Sequence, residues 1–110
     1  MSLPETELFR VTKLFTKYCE QRIPLHARDQ IKLFYNITGN KVILMESRPV
    51  WDDPTKWTEM PIAQFEYSAT TKIWSLYGYN RNDKRLPYSK GTLEKLIQEL
   101  DKDKTGIFWG

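Results

Sequence analysis

Ile31-Lys32-Leu33-Phe34-Tyr35-Asn36-Ile37-Thr38-Gly39-Asn40-Lys41-Val42-Ile43-Leu44-Met45-Glu46 is the stretch on which the fold turns. Ile31, Leu33, Tyr35 and Ile37 alternate with Lys32, Phe34 and Asn36. That period of two sends successive side chains to opposite faces of a strand. Thr38-Gly39-Asn40 is a turn signal, so residues 41–46 return as the second strand of a hairpin. Val42-Ile43-Leu44-Met45 is apolar on both faces, which places this strand centrally in the sheet.

Working towards the C-terminus, residues 49–58 read as a loop, 61–67 as a third strand, 68–72 as a turn and 73–79 as a fourth strand. Residues 80–84 form a polar turn, and 85–88 add a short edge strand. A helix over 89–103 follows from the i, i+3, i+4, i+7 spacing of Leu93, Leu96, Ile97 and Leu100. Gly106 suits the left-handed position just past its end, and Ile107-Phe108-Trp109 makes an apolar tail expected to dock on its own domain. On the N-terminal side, residues 3–21 form a helix. Ser2 and Glu5 have capping-box spacing, Pro4 is tolerated in the first turn, and Pro24 closes the element. Its apolar stripe holds Leu8, Val11, Phe15 and Tyr18, with Leu14 and Cys19 beside them; Arg10, Lys13 and Lys17 make a basic outer side. The predicted fold is α+β in one domain, residues 1–110. It is an antiparallel meander of four to five strands flanked by an N-terminal and a C-terminal helix packed on one face.

The 40% hydrophobic and 28% charged fractions of this 110-residue chain fit an ordered soluble domain rather than a disordered one. One cysteine rules out an intramolecular disulfide. The first residues lack a leader pattern, and no apolar run approaches the ~18 residues a membrane span needs. The expectation is a cytoplasmic protein without membrane contact. A net charge of +3 admits nucleic acid or an acidic partner and requires neither.

Four segments carry a resemblance: Arg22-Ile23-Pro24-Leu25-His26-Ala27-Arg28-Asp29-Gln30, Arg48-Pro49-Val50-Trp51-Asp52-Asp53-Pro54, Trp57-Thr58-Glu59-Met60-Pro61-Ile62-Ala63 and Asp103-Lys104-Thr105-Gly106-Ile107-Phe108-Trp109-Gly110. Together they span nearly the whole chain, and it resembles the bacterial family catalogued as domain of unknown function 3024. The resemblance implies a free-standing bacterial protein of about this length. It carries over no activity and no catalytic residues.

Read from the residues, Asp52 and Asp53, with Glu46 and Glu59 near in sequence, are weak candidates for Mg²⁺ or Ca²⁺ ligands. The competing expectation is turn chemistry at Asp-Pro, with Trp51 and Trp57 anchoring the loop to the core. His26 is the only histidine, too few for a conventional multi-histidine metal site, and no serine sits in a Gly-x-Ser-x-Gly elbow. Cys19 lies on the apolar stripe, where burial makes a thiol a poor nucleophile. Asp101-Lys102-Asp103-Lys104-Thr105-Gly106 matches the start of a calcium loop, but no glutamate follows at the twelfth position. No glycine-rich phosphate loop exists. The expectation is no cofactor, no catalytic constellation and no enzyme.

Aromatic residues interleave with basic ones from Phe65 to Tyr88, the mixture that grips single-stranded nucleic acid by stacking and charge. Tyr77, Tyr79, Arg81, Lys84 and Arg85 are the residues this would use. Alternation puts Trp74 on the opposite side of its strand from Tyr77 and Tyr79. The function expected first is a non-enzymatic binding or adaptor module acting through protein contacts. The alternative is a single-stranded nucleic-acid-binding module using the aromatic and basic hairpin.

Overall fold

Glycine at position 39, with φ near +60°, makes the first strand reversal possible, because a tight hairpin turn needs a left-handed residue there. The computed structural model describes residues 3–23, 27, 30–80, 84–104 and 106–108, with only the backbone of Pro54. The elements in chain order are α1 (Glu5–Arg22), β1 (Lys32–Thr38), β2 (Lys41–Val50), β3 (Asp53–Ser68), β4 (Ile73–Tyr79), β5 (Arg85–Gly91) and α2 (Leu93–Lys102). The five strands form one antiparallel sheet in the order β1-β2-β3-β4-β5. The α+β meander predicted from the alternation is therefore present, with β2 in the interior of the sheet.

Both helices cover one face. Phe15 of α1 packs against Tyr35 and Phe65, with ring centroids 5.5 and 5.0 Å apart. Leu93, Leu96 and Leu100 of α2 are buried in the same core as Val42, Leu44, Phe65, Trp74 and Leu76. These are the alternate positions of β2, β3 and β4 that share one face by register. The helices are joined by side chains, Arg10 donating to Glu94 and Tyr18 Oη donating to Asp101 at 3.2 Å. Arg10 thus does not belong to a free basic side; Lys13 and Lys17 remain exposed.

The ends of both helices and the burial of Leu8 differ from expectation. The N-cap of α1 is Pro4, whose side chain makes no capping hydrogen bond, so the helix starts at Glu5; Ser2 of the expected capping box, like Pro24, lies outside the described residues. Leu8, expected on the buried stripe, is 40% exposed at its rim. Residues 89–91 extend β5, pairing with β4, and α2 begins only after Thr92, whose hydroxyl accepts from the Lys95 amide. The left-handed residue ending α2 is Asp103, not Gly106, which has its own positive φ three residues on.

Residues 49–58 do not loop. β2 and β3 continue past Ser47, the last β2 residue paired with β1, as a two-stranded ribbon turning at Trp51-Asp52. The ribbon follows a bulge between Leu44 and Met45, which lets both Ile62 and Ala63 face inward and bends the strands. Trp51 at its tip is 94% exposed, so it does not anchor this segment to the core. Trp57 is half-buried, with Lys32 Nζ 4.4 Å above its ring. The C-terminal tail docks as expected. Phe108 is buried against Tyr88 at 4.9 Å between ring centroids, and Ile107 lies over Gly78. Trp109 lies outside the described residues.

Candidate binding surface

With α1 and α2 on one side, the other face of the sheet carries no helix among the described residues. Two cross-strand rows define it. One runs Asn36–Ile43–Gln64–Tyr77–Pro87, the next Thr38–Lys41–Glu66–Ser75–Lys90. Phe34 and Met45, paired with each other, and Tyr79 with Arg85 extend the same face. It has an apolar band of Phe34, Ile43 and Met45 towards β1, and an aromatic and charged patch towards β5.

Within the patch the side chains brace one another. The Arg85 guanidinium lies 4.2 Å over the Tyr77 ring, a cation–π contact. Arg85 also approaches Glu66 at 3.8 Å, and Lys41 approaches the other Glu66 oxygen at 3.9 Å. Tyr77 Oη donates to Glu66 at 3.3 Å, and Tyr79 Oη donates to Gln64 at 3.4 Å. Burial pushes the Tyr79 hydroxyl pKa up, and Arg85 partly offsets that. Gln64 is 7% exposed, and its amide nitrogen meets no acceptor among the described residues.

Of the five residues expected to hold nucleic acid, the fold brings together Tyr77, Tyr79 and Arg85. Lys84, next to Arg85 in sequence, is exposed and its amide donates to Asn80 Oδ1 at 2.9 Å, and Arg81 lies outside the described residues. Sequence reasoning missed Glu66, Lys41 and Ile43. Their signal was the alternation with Phe65, Val42 and Leu44, but only pairing shows which phase the helices cover.

The acidic residues do not converge. Asp53 Oδ1 accepts from the Thr55 amide at 3.2 Å and the Thr55 hydroxyl at 2.6 Å, the expected turn chemistry. Asp52 is exposed at the ribbon tip. Glu46 accepts from Arg48 at 2.6 Å, while Glu59 pairs in register with Ser47 and so lies on the opposite side of the ribbon from Glu46. Among the described residues no three His, Cys, Asp or Glu side chains are placed to hold a metal. His26 lies outside the described residues. Cys19 is half-buried, and burial first, then Glu20, pushes its thiol pKa up to about 11. Asp103 Oδ1 accepts from the Phe108 amide at 3.1 Å, so in the apparent calcium-loop sequence it fixes the tail.

Among the described residues, no helix is long and apolar enough to cross a membrane. No curated protein and no solved structure matches the chain. One family does, over residues 3–110, and with essentially its whole length matched the chain belongs to the family described as Domain of unknown function (DUF3024).

Proposed function

We propose that the protein is a non-catalytic, cytoplasmic binding module that docks a protein partner on the helix-free face of its sheet. The observation that carries this is the composition of that face, apolar at Phe34, Ile43 and Met45 towards β1 and polar at Gln64, Glu66 and Arg85 towards β5. Protein interfaces combine an apolar centre with Tyr and Arg anchors in this way. Gln64 adds an unmet amide donor, which a docked main-chain carbonyl would satisfy after a side-chain rotation.

Protein is favoured over nucleic acid by the charge arrangement. Lys41 and Arg85 both face Glu66, and the Tyr77 ring is already covered by Arg85. A phosphate chain would have to compete with that carboxylate, and a base would have to displace the guanidinium. The aromatic–guanidinium pair of Tyr77 and Arg85 keeps single-stranded nucleic acid as the second reading.

Affinity capture with quantitative mass spectrometry tests the first reading. A specific partner should bind wild-type protein and be lost with Ile43→Asp or Tyr77→Ser, but kept with Lys13→Glu on the exposed side of α1. Equal recovery on all of them would reject the sheet face. Fluorescence anisotropy with single-stranded RNA and DNA at low salt tests the second. Binding that weakens steeply with added salt and is lost in Arg85→Ala would replace the first reading.

A further inference from the structure

The two edges of the sheet differ. β5 contains Pro87 and a bulge at Tyr88 and carries Arg85 and Lys90, devices that discourage another strand from pairing. β1 has none of them after Lys32: Leu33-Phe34-Tyr35-Asn36-Ile37-Thr38 is regular, uncharged and rich in strand-forming residues, with its outer side unpaired among the described residues. Such an edge is a template for a further strand.

The helix layer above this edge carries a matching surface. Leu8, Thr12 and Thr16 recur every four residues on the side of α1 away from Arg10, which faces α2. The Thr16 hydroxyl meets the Tyr35 hydroxyl at 3.1 Å, which fixes this row over β1. Phe9, one step from Leu8, is 70% exposed, and Ile37 near the far end of β1 is 37% exposed. Those apolar groups belong to one end of the rim. At the other end, between the C-terminal part of α1 and the start of β1, lies a cleft of about 360 Å³ whose described lining includes Cys19, Ile23 and Leu33.

We infer that the α1–β1 rim is a self-association surface, on which a second copy of this chain pairs its own β1 antiparallel about Tyr35. A two-fold axis reverses the rim, so the knob of one copy meets the cleft of the other. In this register Ile37 of each copy faces Leu33 of the other, and Lys32 faces Thr38 rather than its own copy. Thr12 and Thr16 are small enough for the two α1 helices to approach. A strip ~25 Å long and two layers, ~20 Å, deep gives roughly 500 Å² per copy, near the ~1,000 Å² total at which specific interfaces begin. An extended peptide would cover the strand but leave Leu8 and Phe9 in water; a second copy covers both layers. This inference is independent of the partner face proposed above.

Light scattering and sedimentation of the full chain over a wide concentration range test it. The expected mass rises towards twice the 13.1 kDa monomer. Phe9→Asp with Ile37→Asp should weaken dimerisation at least tenfold with an unchanged circular dichroism spectrum, and Ile73→Asp, at an exposed residue on β4, should leave it intact. Hydrogen exchange of the wild type supplies a readout that needs no variant: β1 amides should slow as concentration rises while β5 amides do not. A monomer at every concentration, or a dimer indifferent to the rim substitutions, would overturn the inference. So would β1 exchange independent of concentration, the behaviour of an edge kept for a peptide.

Discussion

Replacing Phe108 with alanine separates a tail that is part of the core from one that merely rests on it. The ring is buried against Tyr88 and lies beyond the last helix or strand of the described residues. Truncating a buried phenylalanine costs ~3–5 kcal/mol in a closed core. Here the loss is capped, because a tail that has lost its anchor can lift away and rehydrate, so its cost cannot exceed the docking free energy. That argues for the lower end, about 3 kcal/mol, or a fall in Tm of roughly 12 °C at ~4 °C per kcal/mol. Gly78 makes the test specific. A Cβ there would stand 2.8 Å from Ile107 Cδ1 and 3.1 Å from Cγ1, so Gly78→Ala must push the docked tail aside. That strain, of order 1–3 kcal/mol, opposes the ~0.4–1 kcal/mol gained by restricting the unfolded chain. In the Phe108→Ala background Ile107 is free to move, the strain disappears and only the gain remains. The double-mutant cycle, read by thermal and urea unfolding, should therefore give a coupling of about 1 kcal/mol or more. A Phe108→Ala shift below about 2 °C, or additive effects, would refute the view that the tail completes the core.

Two further outcomes follow from titrating groups. Cys19, with its thiol pKa pushed up to about 11 by burial, should react with a disulfide reagent at pH 8 at least ~100-fold more slowly than an unhindered thiol. The rate should climb about tenfold per pH unit above that; reaction at the free-thiol rate would show that the α1 stripe does not shield it. The hydrogen bond from Arg10 holds the Glu94 pKa below its usual value of 4.5, so its stabilisation is present above that pH and is lost as pH falls through the lowered one. With the side chains 41% and 47% exposed, Glu94→Gln should cost only ~0.3–0.5 kcal/mol at pH 7 in urea melts, and the cost should shrink as acid protonates Glu94; a loss undiminished in acid would reject the ion pair as the cause.

The strands with clean alternation were legible: residues 73–79 form β4 with the boundaries the sequence indicates. So was the separation of Trp74 from Tyr77 and Tyr79, which depends only on the pleat. Elements set by distant pairing were not. Ser89, Lys90 and Gly91 look like the start of a helix until Leu76, Ser75 and Trp74 are seen opposite them. Pro49 and Asp53-Pro54 signal a loop, but β2 has a free edge beyond Ser47, where a missing amide donor breaks no ladder to a third strand. The candidate face was half legible. Tyr77, Tyr79 and Arg85 are close in sequence, whereas Glu66 and Lys41 reach them only through sheet register.

That register bears on how a sheet with one helical layer keeps an uncovered face in water. Among the described residues the face is closed by lateral bonds rather than by a second layer: Arg85 lies over Tyr77, Glu66 holds Tyr77, Lys41 and Arg85, and Gln64 accepts from Tyr79. Each contact is modest on its own, since partly exposed ion pairs are worth ~0–1 kcal/mol. Their common consequence is that aromatic area is covered and the Glu66 carboxylate is compensated from within the face itself. A ligand must therefore replace those bonds as it removes them, and uniform apolar or uniformly anionic surfaces cannot. If the proposed docking face is the binding face, its selectivity would reside in the cost of breaking the lattice around Glu66, which falls on every ligand, against the bonds returned by one whose donors match its two carboxylate oxygens.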